Sequence, residues 1–275
     1  MFLVPRVLLR PTLCLALTGL ALPATGAHGQ ATDVPGPTAP GTRLEMYRAH
    51  VAMEEASRFG HLPWQFIGPT NVSGRMTDIH ALEPRGRTYE IYVAGASGGV
   101  WRTDNEGVTW EPVLEDAAST SIGDVTAAPS NQDIVWVGTG EANIFRSSMA
   151  GAGVYKSVDG GETWRHMGLT DTNTIPRIVI HPTDPDIVWV AASGHEWTPN
   201  EERGVFRTTD GGETWEKVLY VDAETGAIDL VMDPRTPDRL YAATWQRTRL
   251  KWNDPRNESD YEGSGIWRTE DGGDT

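Results

Sequence analysis

The chain has 275 residues, enough for one large domain or two ordinary ones, and 38 acidic residues against 23 basic ones give it a formal charge of −15. A chain this acidic lacks the clustered lysines and arginines that phosphates require, so no nucleic-acid partner is expected. The single cysteine, Cys14, excludes a disulfide framework and a cysteine-based zinc site.

Residues 1–30 (MFLVPRVLLRPTLCLALTGLALPATGAHGQ) read as a secretory signal peptide: Arg6 and Arg10 precede an apolar run, and small residues follow around Ala24 to Gly29. The run is short and interrupted by Pro and Thr, unlike a membrane span. The expectation is therefore a secreted or periplasmic bacterial protein with no membrane span once the signal is removed. Residues 31–42 (ATDVPGPTAPGT) form a Pro/Gly-rich linker. Thr42 is placed to cap a helix over 43–60, with Leu44, Tyr47, Val51 and Ala52 on one stripe.

From residue 61 the chain repeats itself. EIYVAGASGGVWRTDNEGVTW (90–110) lines up with IVWVGTGE…GVYKSVDGGETW (134–164), with IVWVAASGHEW…GVFRTTDGGETW (187–215), and with RLYAATW…GIWRTEDGGDT (239–275). Each unit of about fifty residues holds four short β-branched or aromatic runs separated by turn residues. Four antiparallel strands at that period describe a β-propeller blade. The predicted fold is thus all-β, an incomplete arc of about four blades (74–113, 121–167, 175–220 and 226–275) preceded by the short helix.

The recurring phrase closes the third–fourth strand turn of each blade. Asn105, Asp159, Asp210 and Asp271 occupy one position, able to accept backbone N–H groups across the turn, and the glycines allow positive φ. Trp110, Trp164 and Trp215 follow, expected to pack beneath the turn; in the last copy, TEDGGDT, Asp271 is followed by no Trp. One acid per copy, each on a separate blade, makes these residues structural. No metal or cofactor site is expected from them.

The phrase S/T-x-D-x-G-x-T-W resembles the Asp-box of the BNR-repeat proteins, which include sialidases, xyloglucan-active glycosidases and the sortilin-type receptor domain. Over residues 64–275 the layout is most similar to the sortilin-type branch and its secreted bacterial relatives. The first copy departs by carrying Asn105 at the Asp position. The resemblance implies the propeller fold; it implies hydrolase and non-enzymatic receptor alike.

Repetition also marks the scaffold. Tyr92, Trp136, Trp189 and Tyr241 are equivalent second-strand residues, and Trp101, Tyr155, Phe206 and Trp267 equivalent third-strand residues, all expected in the blade core. Trp64 reads as part of a closing blade. What the scaffold leaves over lies on the opposite rim, in the second–third strand loops. The ligand-binding candidates there are Arg75, Glu141, Arg146, His195, Trp197, Arg203 and Trp245, since aromatic faces with arginines and carboxylates suit a glycan or a peptide. A lone His195 with neighbouring acids does not make a metal site. Glu141 and Glu196, in adjacent loops, are the candidate catalytic pair if the chain hydrolyses a glycosidic bond. Two readings stay open: an exported module binding a peptide, protein or glycan, or a BNR-type glycoside hydrolase. With three full blades and most of a fourth, the sequence is expected to be a fragment whose further partners are C-terminal blades of the same protein.

Overall fold

The computed structural model describes residues 38–62, 74–143, 148–246 and 262–275. The expected signal peptide, most of the linker, Trp64 and Arg146 lie outside the described residues. Four antiparallel blades follow one short helix, as the repeat predicts.

Blade 1 is β1 (Met76–Ala81), β2 (Ile91–Gly95), β3 (Gly99–Thr103) and β4 (Glu111–Pro112). Blade 2 is β5 (Ile122–Ala128), β6 (Asn131–Thr139), β7 (Val154–Ser157) and β8 (Arg165–His166). Blade 3 is β9 (Arg177–Ile180), β10 (Val188–Ala192), β11 (Gly204–Thr208) and β12 (Glu216–Leu219). Among the described residues blade 4 has three strands, β13 (Thr225–Asp233), β14 (Thr236–Gln246) and β15 (Gly265–Thr269). Within each blade the strands pair in chain order.

A β-strand sends alternate side chains to opposite faces, and each blade uses both faces to pack on neighbours. Tyr92, Ala94 and Val100 of blade 1 meet Val125, Val135, Val137 and Tyr155 of blade 2. Trp136 and Val154 on the other face of blade 2 meet Ile178, Val188 and Val190 of blade 3. Trp189, Ala191 and Val205 then meet Leu230, Leu240 and Ala242 of blade 4. The core is therefore a series of apolar layers between blades.

The turn phrase behaves as a hydrogen-bonded clamp. Asp159 accepts the Thr163 N–H through Oδ1 at 2.9 Å and the Thr163 hydroxyl through Oδ2 at 2.5 Å, and the Ser157 hydroxyl donates to it at 2.7 Å. Gly160 and Gly161 take φ of 71° and 88°, the left-handed region where a Cβ is costly. Asp210 and Asp271 repeat the pattern. Asn105 holds its turn equally: Oδ1 accepts the Thr109 N–H at 2.9 Å and the amide donates to the Thr109 hydroxyl at 2.7 Å. An amide replaces a carboxylate here because the hydroxyl can accept as well as donate. The indoles of blades 2 and 3 reach back to the preceding blade, Trp164 donating to the Val113 carbonyl and Trp215 to that of Met167.

Three expectations need correction. Trp101, Trp110, Tyr241 and Trp267, grouped with the core by repetition, are 38%, 42%, 39% and 44% exposed. Trp101 lies on the side of blade 1 away from blade 2, and Trp267 at the outer edge of the three-stranded sheet, so equivalence in sequence does not bring equal cover. The helix, α1, spans Pro40–Glu55 rather than 43–60, and Ala39, not Thr42, occupies the N-cap with no side-chain hydrogen bond. Pro40 starts it because its fixed φ suits the first turn; beyond Ala56 the Ser57 hydroxyl accepts the Phe59 N–H and competes with helix. Of the expected stripe, Leu44, Tyr47 and Val51 are half-buried and Ala52 is exposed. Arg43 anchors the helix, donating to the carbonyls of Gly151 (2.9 Å) and Thr170 (3.0 Å). Among the described residues no helix is long and apolar enough to cross a membrane.

The Asp159 clamp sets a stability test. Hydrogen bonds from Thr163, then Ser157, hold its carboxyl down at about 2. A depressed pKa contributes stability above the unfolded value near ~3.9 and loses it as pH falls through the folded value. Asp159→Ala should lower stability at pH 7 by about 1–2 kcal/mol. Thermal unfolding at several pH values should show this deficit shrinking between roughly pH 4 and pH 2.

Candidate functional site: the inner-strand cleft

The innermost strands of the four blades are β1, β5, β9 and β13. Register places Asp78 opposite Ala94, Asp124 opposite Gly138, Arg177 opposite Ala191 and Asp229 opposite Ala243. These four charged residues therefore hold one equivalent position each. In three of the strands the register slips by one residue immediately before the aspartate, leaving Thr77, Gly123 and Ile228 unpaired. Such a β-bulge bends the strand and re-aims the following side chain.

The bulges bring the four groups together. Arg177 Nη1 lies 2.9 Å from Asp124 Oδ1 and 3.7 Å from Asp78 Oδ1, and its Nε lies 3.3 Å from Asp229 Oδ1. The aspartates also tie blade to blade: Asp78 Oδ2 accepts the Val125 N–H (3.3 Å), and Asp124 Oδ2 accepts that of Ile178 (2.9 Å). Asp124 is only 1% exposed. Its burial, and then the Asp78 charge beside it, push its carboxyl up to about 8, with Arg177 pulling the other way. Asp229 is the open member, its side chain 53% exposed.

Beside these residues lies a cleft of about 430 Å³. It is lined by the bulge residues Thr77, Gly123 and Ile228, by Pro176 at the matching place in blade 3, and by Asn143, Arg177, Asp229 and Trp245. Gly123 is required here, because a Cβ would sit 2.1 Å from the Ile175 carbonyl oxygen. An indole, a guanidinium and an accessible carboxylate around a solvent-open cleft can stack on a sugar ring and hydrogen-bond its hydroxyls.

The candidates read from sequence fall in several places. Trp245 lines the cleft. Arg75 and Glu141 form a two-pronged ion pair between blades 1 and 2, with Nε–Oε1 at 2.8 Å and Nη2–Oε2 at 2.7 Å; Glu141 is buried and Arg75 half-exposed. Arg203 is wholly buried inside its own loop, donating to the carbonyls of Ser193, His195, Thr198 and Glu224 and to Asn200 Oδ1. That desolvation draws its pKa down to about 10. His195 hydrogen-bonds Asp171 Oδ1 (3.0 Å) and Thr198 Oγ1 (2.9 Å), Glu196 is buried, and Trp197 is exposed. Arg146 is not among the described residues. The structure thus adds Asp78, Asp124, Arg177 and Asp229. Their sequence signal is a charge at a fixed place inside otherwise apolar first strands: MTDIH, IGDVT, PRIVI and GAIDL.

Fold and cleft define a β-propeller arc with a solvent-open inner site. No protein-family model matches the chain. Among curated proteins, the chain is 28% identical over 173 residues to one named "Probable oligoxyloglucan-reducing end-specific xyloglucanase" from Neosartorya fischeri, covering 61% of this chain and 20% of that protein. It is 27% identical over 178 residues to the xyloglucanase Xgh74A of Acetivibrio thermocellus, covering 55% and 19%. The chain spans about a fifth of the length of these relatives. Among solved structures, an ancestral GH74 enzyme superposes with a TM-score of 0.54 at 18% identity, over 74% of this chain and 24% of that one. That likeness concerns the fold, and the sequence relatives are glycoside hydrolases rather than sortilin-type receptors.

The Asp124 carboxyl sets a second stability test. A raised carboxyl pKa means that the folded state holds a proton the unfolded chain has released, so stability falls as pH rises from about 4 through about 8. Asp124→Asn keeps an acceptor for the Ile178 N–H and removes the ionisation. Its unfolding temperature, followed across that window, should decline less than that of the parent.

Proposed function

We propose that this chain is the glycan-holding part of a glycoside-hydrolase-type propeller, with a β-glucan such as xyloglucan lying in the inner-strand cleft. One observation carries the reading: Trp245, Arg177 and the exposed Asp229 share a single open cleft. The two xyloglucanase relatives favour a polysaccharide over a peptide as occupant. Trp245 stacks on a sugar ring, Arg177 and Asn143 bond its hydroxyls, and Asp229 stands as the candidate catalytic carboxylate. Asp78 and Asp124 position Arg177, their oxygens already engaged between blades. The acid pair Glu141 and Glu196 has less support, since both are buried and Glu141 is joined to Arg75. Export through residues 1–30 is part of the same reading, because a polysaccharide of this kind is met outside the cell.

The test is binding first and hydrolysis second. The chain should be retarded in a xyloglucan affinity gel, and Trp245→Ala should weaken retention by about two- to ten-fold, in line with the roughly 0.5–1.5 kcal/mol an aromatic contact contributes. Reducing-sugar release, if seen, should vanish in Asp229→Asn while retention persists, since glycosidic hydrolysis depends on ionisable carboxyls. Failure to bind xyloglucan or any other β-glucan, with binding of peptides instead, overturns the reading.

A further inference from the structure

The loop joining β10 to β11 and the link joining β8 to β9 bring together a hydroxyl, an imidazole and a carboxylate, none of which lines the inner cleft. Thr198 Oγ1 lies 2.9 Å from His195 Nδ1, and His195 Nε2 lies 3.0 Å from Asp171 Oδ1. Arg43 of α1 places a cation 3.5 Å from the same Oδ1. An ionised carboxylate can only accept, so in the neutral ring Nε2 carries the proton and Nδ1 offers its lone pair to the Thr198 hydroxyl. That is the order in which a general base draws the proton from a hydroxyl nucleophile while a third group orients the base.

The surroundings hold the three groups in register. Arg203 Nη2 donates to the carbonyls of both His195 (2.6 Å) and Thr198 (3.1 Å), fixing the two ends of the turn that carries base and hydroxyl. Asn200 ties this turn to the third member. Its Oδ1 accepts the His195 N–H at 2.9 Å, and its Nδ2 donates to the Asp171 carbonyl at 2.9 Å. A cation as fully buried as Arg203 is costly to hold, and here it secures the spacing of imidazole and hydroxyl. The outer side of the cluster is open: His195 is buried, Thr198 is half-buried, and Trp197 between them in sequence is 49% exposed.

We propose that Thr198, His195 and Asp171 form an acyl-transfer site that hydrolyses small carboxylic esters, with the exposed Trp197 giving an apolar face to the ester's organic group. Thr198 Oγ1 attacks the carbonyl carbon while His195 Nδ1 takes the hydroxyl proton. The bond from that carbon to the alcohol oxygen then breaks, and the alcohol leaves with the same proton. A water attacks the acyl-threonine and passes its proton to Nδ1. The Thr198 oxygen departs, recovers that proton, and the carboxylic acid is released. Ester and water thus give acid and alcohol, with the site unchanged. Asp171 holds the ring and stabilises the imidazolium formed in each half of the cycle.

The probe is p-nitrophenyl acetate, followed by nitrophenolate absorbance and by peptide mapping of the quenched protein in a mass spectrometer. The expected result is an acetyl group on Thr198, absent in Thr198→Ala and retained in Thr198→Ser. His195→Gln should slow acetylation by about a hundred-fold or more, the usual contribution of a positioned base. Asp171→Asn should slow it as well, with partial rescue in Asp171→Glu, and circular dichroism checks that each variant is folded. Acetyl groups found on lysines or on His195 but not on Thr198 overturn the proposal. So does nitrophenolate release that is the same in Thr198→Ala as in the parent, or no faster with the parent than in buffer alone.

Discussion

A four-stranded sheet has two faces, and a fifty-residue unit holds too little side-chain volume to cover either by itself. Everything else in this chain follows from how that burial is shared. The Tyr92, Trp136 and Trp189 positions are buried because a following blade is laid against them, and Val125, Ile178 and Leu230 because a preceding one is. The clamp at Asp159 and its equivalents matters chiefly for this reason. It fixes a turn whose indole crosses to the carbonyl of the previous blade, converting a local hydrogen-bond pattern into a contact between repeats.

Burial of the same kind determines the electrostatics of the inner strands. Close approach of the blades removes water from Asp124, and the Ile178 N–H and the Arg177 guanidinium offset only part of that desolvation, so the carboxyl stays well above the usual carboxylate range. Asp229, at the same place in the last blade, keeps half its side-chain surface in solvent. Four equivalent positions thus hold groups with different surroundings: two bridging carboxylates, one shared cation and one accessible acid. The repeat is broken here by substitution, Arg177 standing where the other blades have Asp.

The fold was legible in the sequence because the turn phrase is a local solution with few alternatives, repeated at one period. A carboxylate, two glycines in the left-handed region and a hydroxyl two residues before the acid leave the backbone little freedom. The cleft was much less legible. Asp78, Asp124 and Asp229 reach it through one-residue register slips, and no composition pattern marks a slip. Arg203 and Glu141 looked like ligand groups because loop residues are expected to meet solvent. In the fold Arg203 instead gathers four carbonyls of its surroundings, and Glu141 closes on Arg75. Trp245, a loop aromatic left over once the scaffold is subtracted, lines the cleft.

The inner-strand hydrogen bonds have a direction. Asp78 takes its proton donor from blade 2, and Asp124 takes its own from blade 3, so each link is completed only when the later repeat is in place. The arc is in this respect a one-dimensional chain with nearest-neighbour coupling. Each of these two inner links is therefore completed by the blade that follows it, so a disturbance in one blade is felt first in the layer it shares with its neighbour. Repeats that are nearly alike in sequence thus differ in what completes them, because each inner link is a property of a pair of blades and not of one.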